Sequence, residues 1–304
     1  MTKLDLSVNL NGLVLKNPIT VASGTFGFGR EYADYVDLNN IGAISVKGLT
    51  LNARKGNATP RVVETPMGMI NSVGLQNPGV EKFVEEEIPY LRQFDTKIIA
   101  NINGSTVEDY CGITERLSSE DVDSLELNIS CPNVKNGGMA FGTDPIMVAH
   151  VVSEVRKRAK KHLIVKLSPN VTNIGEIAKI AEANGADAIS LINTLTGMAI
   201  DIHTRKPMIA NVIGGLSGPA VKPVAVKLVH DVYKAVNIPI IGMGGIMNWE
   251  DGIEFMLAGA DAISIGTANF VNPKVTEEVL EGMTNYFKQN GIYRPKEIKG
   301  GLIY

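Results

Sequence analysis

Eight short apolar runs, each followed by a stretch with helical spacing, limit what this chain can become more than any other feature. The runs cover residues 19–23, 43–47, 97–101, 124–128, 163–167, 188–192, 238–242 and 262–265. Segments such as Ile98-Ile99-Ala100 and Ile240-Ile241 do not alternate polar with apolar. Both faces of such strands are expected to be buried, as in a parallel sheet. Between the runs, Asp144-Pro145 places an N-cap before a proline at the first helical position, followed by apolar Ile146, Val148, Val151, Val152 and Val155. Asn173 and Glu176 have the spacing of a capping box, and Gly185 stands where that helix should stop. Eight strand–helix units in 304 residues suit a closed (β/α)8 TIM barrel better than an open doubly wound sheet. No run leads into the glycine fingerprint of a dinucleotide site. We expect residues 1–304 to form a single domain, with two long insertions at residues 49–78 and 195–218. The first carries Pro60, Pro66, Gly68, Gly74 and Pro78 and is expected to contain a small hairpin. Both insertions leave strand C-terminal ends, the face on which barrel enzymes build their sites.

Charge and cysteine usage exclude several function classes. A formal net charge of -3 offers no electrostatic footprint for nucleic acid or an anionic membrane surface. The basic run Arg156-Lys157-Arg158-Ala159-Lys160-Lys161-His162 ends a helix pattern and reads as a solvated face favoured by the helix dipole. Cys111 and Cys131 are too few for a disulfide framework and lack metal-ligand spacing. His150, His162, His203 and His230 are scattered, so no metal site is expected. With no leader pattern and no apolar run of membrane length, a cytoplasmic, membrane-free location with reduced thiols is expected.

Polar residues gather at the strand ends. Ser23, Lys47, Asn101, Asn128, Lys166, Asn193 and Thr194 fall at or just past the C-terminal ends of the runs. Asn and Lys are depleted in strands, and a buried Lys is costly unless paired, so this convergence on one rim marks a site. Gly244-Gly245 and Gly266-Thr267 follow the seventh and eighth runs. Those two loops of a barrel commonly hold a phosphate through backbone N–H groups. Asn71, Asn128 and Asn193 offer paired donor and acceptor edges suited to a flat, amide-containing heterocycle. Lys47 and Lys166 could place positive charge beside a ligand that becomes anionic.

Cys131 lies in Leu127-Asn128-Ile129-Ser130-Cys131-Pro132-Asn133, where a strand pattern gives way to a glycine-containing loop. A thiol titrates near enough to neutrality for a modest shift to make it a usable base. Gly137, Gly138 and Gly142 suit a mobile lid in the loop that follows. A phosphate cup, a lysine, an amide-lined pocket and a poised thiol together point to redox chemistry on a bound flavin.

Several segments resemble class 1 dihydroorotate dehydrogenase. They are Asn71-Ser72-Val73-Gly74-Leu75, the stretch around Cys131, Val165-Lys166-Leu167-Ser168-Pro169 and Ile192-Asn193-Thr194. Gly215-Leu216-Ser217-Gly218-Pro219-Ala220, Gly242-Met243-Gly244-Gly245-Ile246 and Ile265-Gly266-Thr267 extend the likeness through the chain. The resemblance implies FMN-dependent oxidation of dihydroorotate to orotate in pyrimidine synthesis. Cys131 would take the C5 proton while the C6 hydrogen passes as hydride to flavin N5. FMN contacts would fall on Ser23, Lys47, Gly48, Asn101, Asn128, Lys166, Ile192, Gly218, Gly244, Gly245, Gly266 and Thr267. Substrate contacts would fall on Lys47, Asn71, Ser72, Val73, Gly74, Leu75, Asn128, Asn193 and Thr194. Lys166 would also act in catalysis, stabilising the anionic reduced flavin.

The segment Gly197-Met198-Ala199-Ile200-Asp201 resembles the 1B type. That type works with a second subunit carrying FAD and a 2Fe-2S cluster, which passes electrons to NAD+. A homodimer of this chain flanked by two such subunits, a heterotetramer, is then expected. The serine base and N-terminal extension of class 2 enzymes are absent from the sequence. Asn103 departs from the expected pattern, which has a smaller residue there. Competing readings are the fumarate-dependent 1A type, an FMN-dependent dihydropyrimidine oxidoreductase, a tRNA dihydrouridine synthase and a non-redox barrel acting on a phosphorylated substrate. The synthase would call for a basic surface, and the acidic balance opposes it.

Overall fold

A computed structural model describes residues 4–130 and 141–304. Cys131, Gly137 and Gly138 lie outside the described residues. The chain opens with a hairpin, β1 (Val8–Leu10) and β2 (Leu13–Leu15). Strands β3 (Ile19–Val21) and β4 (Ala43–Ser45) follow, then an antiparallel pair, β5 (Val62–Thr65) and β6 (Gly68–Asn71). Next come β7 (Lys97–Ile102), β8 (Ser124–Asn128), β9 (His162–Lys166) and β10 (Ala188–Leu191). The second insertion holds β11 (Leu195–Met198), β12 (Ile200–Asp201), β13 (Lys206–Pro207) and β14 (Ile213–Ser217). Strands β15 (Ile240–Met243) and β16 (Ala262–Ile265) complete the set.

The eight expected runs form a closed parallel barrel in the order β10-β15-β16-β3-β4-β7-β8-β9. This is the (β/α)8 TIM barrel expected from the sequence. Why the runs are apolar throughout is visible in their two faces. Outward residues such as Ile44, Ile98, Leu163 and Ile263 join the large core beneath the helices. Inward residues one position away, Ala43, Ile99, Ile164 and Ala262, form a second core inside the barrel. A period of two with both faces buried leaves no alternation to read.

The N-cap signals hold. Asp144 caps the helix Pro145–Arg158 by accepting from the Ile146 N–H. Val148, Val151, Val152 and Val155 are buried, but Ile146 is 78% exposed. The four valines share one face at helical spacing, and a residue two positions before Val148 points to the opposite face. Asn173 caps Ile174–Ala183 by accepting from the Glu176 N–H, and Gly185 follows that helix with φ 102°.

Two features go beyond the sequence expectations. The two insertions form one antiparallel sheet in the order β11-β14-β6-β5, with Asn71 registered against Gly215 and Ile70 against Leu216. The expected hairpin of the first insertion is thus half of a roof that the second completes. At the other end, the β1–β2 hairpin turns through Asn11 (φ 55°) and Gly12 (φ 105°), the positive φ pair that an Asn-Gly turn supplies. Its Val8, Leu10, Leu13 and Leu15 plug the barrel bottom against Ile99, Ile164 and Ile241. His162 pins the plug, with Nε2 2.6 Å from the Leu10 carbonyl and Nδ1 2.9 Å from Ser124 Oγ. The solvated reading of the basic run therefore fails at His162, which begins a barrel strand.

Burial holds the His162 imidazole below its ordinary value of 6.5, with nearby Asp187 opposing and Arg156 assisting the shift. The unfolded chain therefore takes up a proton before the folded one does as pH falls. The stability this neutral imidazole contributes is complete above 6.5 and is lost as pH drops below it. We predict that the melting temperature falls from about pH 7.5 to 5.5, and that the fall is shallower in His162→Gln. Thermal unfolding monitored by circular dichroism at both ends of that range checks this.

Candidate active site

A cavity of about 490 Å³ lies between the C-terminal mouth of the barrel and the roof sheet. Its floor is one layer above the apolar plug, where inward strand positions change character. Ile99 is succeeded by Asn101, Ile164 by Lys166 and Ala262 by Ser264, each two residues further along its strand. Asn101, Lys166, Ser264 and Met243 line the cavity from below. Val62, Met69, Asn71 and Leu216 line it from the roof.

Every described residue expected at the site reaches this one cavity. Ser23, Lys47, Gly48, Asn128 and Ile192 stand at the rim on the strand ends. Gly218, Gly244, Gly245, Gly266 and Thr267 form the side just past the C-terminal ends of β14, β15 and β16. Asn71, Ser72, Val73, Gly74 and Leu75 arrive with the first insertion, and Asn193 and Thr194 with the start of the second. Cys131 lies outside the described residues, although Ser130 and Thr143 on either side of it line the cavity.

The electrostatics are one-sided. Among the described residues no Asp or Glu lines the cavity, whereas Lys47 and Lys166 both do. Lys166 is 4% exposed. Burial, and secondarily the charge of Arg61, holds the Lys47 ammonium below the ordinary lysine value. Among the described residues neither lysine has a carboxylate within 4.0 Å. Desolvating an ion costs several kcal/mol, so two uncompensated lysines favour an anionic occupant.

The amide groups are held in a defined network. Tyr110 donates its hydroxyl to the Asn128 carbonyl at 2.8 Å. The Asn128 Oδ1 accepts from Ser130 Oγ at 2.6 Å, and Asn193 Nδ2 donates to the same Ser130 hydroxyl. Asn193 Oδ1 accepts the Thr194 N–H at 2.8 Å. Thr267 Oγ1 donates to Ser217 Oγ at 2.8 Å, joining the end of β16 to the roof. The Ser72 hydroxyl is buried with no hydrogen-bond partner among the described residues.

Other residues at the site carried no role in the sequence reading. Asn170 accepts from the Thr196 N–H at 3.0 Å and donates to the Thr194 carbonyl at 3.0 Å, fastening the second insertion to the rim. Its signal was its place just past a strand end, in Ser168-Pro169-Asn170. Asn103, the departure from the expected pattern, is fully buried and donates to Asn101 Oδ1 at 2.8 Å.

The glycines here divide into two kinds. A Cβ on Gly48 would stand 2.6 Å from Asn103 Nδ2, so the neighbouring packing itself excludes a side chain. A Cβ on Gly266 would meet only Ala22 Cβ at 3.6 Å and Thr25 Cγ2 at 3.9 Å, ordinary contacts. The fold does not require glycine at 266; it leaves space that a bound group can fill.

A match to the family model for dihydroorotate dehydrogenase runs over residues 5–287. The chain belongs to the dihydroorotate dehydrogenase family. It is therefore an oxidoreductase. Two similar relatives are the dihydroorotate dehydrogenase B (NAD(+)) catalytic subunits of Alkaliphilus metalliredigens (strain QYMF) and Alkaliphilus oremlandii (strain OhILAs). Each is 61% identical over 99% of this chain and 100% of its own length. The same-named protein of Thermoanaerobacter pseudethanolicus is 56% identical over 98% of this chain and 99% of its own. Among the described residues of this family member, no helix is long and apolar enough to cross a membrane, and no cluster of acidic, His or Cys side chains could hold a metal.

The two glycines give a direct test. Gly48→Ala should lower the unfolding free energy by about 1–3 kcal/mol through overpacking against Asn103. Gly266→Ala should stay within about 0.5 kcal/mol of the parent. Urea unfolding of the ligand-free variants distinguishes the two.

Proposed function

We propose that this chain oxidises dihydroorotate to orotate with FMN bound in the cavity and Cys131 as the base. The observation that carries the reading is that cavity: it gathers all the described residues expected to contact FMN and substrate, and among the described lining residues there are two lysines and no carboxylate. FMN supplies a hydride acceptor when bound. The N–H groups of Gly244, Gly245, Gly266 and Thr267, with the Thr267 hydroxyl, would hold its phosphate, consistent with the free space at Gly266. Ser23, Gly48, Asn101, Ile192 and Gly218 would contact the remainder. Lys166 would place its ammonium where negative charge develops on reduction.

Asn71, Asn128 and Asn193 would orient the substrate ring through their amide edges, and Lys47 would attract its carboxylate. Ser72, Val73, Gly74, Leu75 and Thr194 would close around it. Cys131 would remove the C5 proton, its thiolate holding it as a thiol. The amide network around Asn128 leaves little freedom in the segment immediately before that cysteine. A bound cofactor and substrate would displace water from this cavity, which would strengthen each of these polar interactions.

Electron delivery is proposed to follow the relatives' names: NAD+ as terminal acceptor, reached through a partner subunit bearing FAD and a 2Fe-2S cluster. The chain has only two cysteines, too few to bind such a cluster alone. Exposed Met198, Ile200, Ile202, Met208 and Ile213 on the second insertion supply apolar surface that an assembly would cover. A homodimer core within a heterotetramer, in the cytoplasm, completes the proposal.

Purified protein should be yellow and should bleach anaerobically on addition of dihydroorotate. Cys131→Ala should retain the flavin but reduce it about 10²–10⁴-fold more slowly in stopped-flow absorbance. Gly266→Ala should fold normally yet hold FMN more weakly. A colourless chain that takes up no FMN would defeat the proposal. Turnover of the isolated chain with fumarate would replace its NAD+ arm with the 1A type.

A further inference from the structure

Beneath the cavity floor lies a carboxylate that the proposed chemistry does not use. Glu126 stands mid-strand in β8 and is 3% exposed. Its Oε2 accepts from Ser45 Oγ at 2.8 Å and from Asn101 Nδ2 at 2.6 Å, while Oε1 accepts from Ser190 Oγ at 2.7 Å. The donors stand on β4, β7 and β10, so one side chain ties four strands across the barrel interior. Among the described residues it has no ion-pair partner within 4.0 Å. A carboxylate is rarely buried without a cation, and neutral donors alone offset only part of its desolvation. Its place in the barrel therefore calls for a role.

That role follows from what a carboxylate cannot do. Ionised, it accepts hydrogen bonds and donates none. Asn101 must therefore turn its Nδ2 toward Glu126, which leaves its Oδ1 for Asn103 Nδ2 at 2.8 Å. Asn103 is fully buried, and its own Oδ1 has no partner among the described residues, so the row of amides ends there. Two linked amides could otherwise turn over together and keep the bond between them. Only an acceptor at the root makes the two settings unequal. Asn101 lines the cavity, whereas Glu126 and Asn103 do not. One Nδ2 hydrogen of Asn101 is committed to Glu126, and the second is left to donate.

We propose that Glu126 is a positioning residue that holds Asn101 with its donor edge available to the cofactor, and that Asn103 locks the same amide from the far side. The cofactor arm of this proposal rests on the FMN reading above; the amide arm does not. Glu126→Gln has the same shape but can face Asn101 with either end of its amide. Asn103→Ala removes the lock and leaves the carboxylate in place.

The test uses the full chain in two stages. In ligand-free protein with 15N-labelled asparagine, the Asn101 side-chain amide should give one pair of signals that exchanges slowly with solvent. Both variants should shift that pair and speed its exchange by about tenfold or more. With FMN added, both should raise its dissociation constant about tenfold and shift the flavin absorbance band and midpoint potential. A merely structural role would lower the melting temperature and leave band and potential at parental values. Parental Asn101 signals in Glu126→Gln, or in Asn103→Ala if the first variant does not fold, overturn the proposal. So does a parental flavin spectrum and affinity. If the parent chain itself takes up no FMN, the cofactor reading fails, and the amide signals alone decide the role of Glu126.

Discussion

The structure depends on closing eight parallel strands into a ring narrow enough that side chains fill it. Inside such a ring there is no bulk water, so each layer of inward residues must be apolar or hydrogen-bonded to its neighbours. The lower layer is apolar and is sealed by the β1–β2 plug. The next layer is polar, and Glu126 shows how that is managed: its two oxygens collect donors from three other strands. The polar layer beneath the cavity floor is bonded across the barrel rather than along one strand.

The roof follows a different logic. Neither insertion could bury its strands alone, since an isolated two-stranded ribbon is marginal in water. Pairing β14 against β6 makes a four-stranded sheet, and that pairing encloses the cavity. Asn71 and Gly215, far apart in the chain, become register partners and line the same wall. Among the described residues the cavity lining has two lysines and no acid, so its field favours an anionic guest before any specific contact is made.

Much of this was legible in the chain. Runs buried on both faces announced a parallel barrel, and Lys166, Asn101 and Asn128 could be assigned to the site because Asn and Lys are depleted in strands. His162 misled because six neighbours of basic or small character preceded it, while the strand it begins was judged to start one residue later. The Asn11-Gly12 turn between alternating residues was a readable hairpin signal that the sequence reading passed over. Asn103 stood out as a departure, but its reason, the lock on Asn101 beside Gly48, involves contacts that composition and spacing cannot express.

The residue order alone determined the period of the strands, the caps of the helices between them and the polar character of the rim, because these are properties of near neighbours. It could not determine that the two insertions share a sheet, that the N-terminal hairpin seals the barrel, or that Glu126 and Asn103 direct one amide from opposite sides. Those depend on which distant strands lie side by side, and only barrel closure decides that. The free energy of a buried polar group is set by its partners in space, and a linear sequence does not name them.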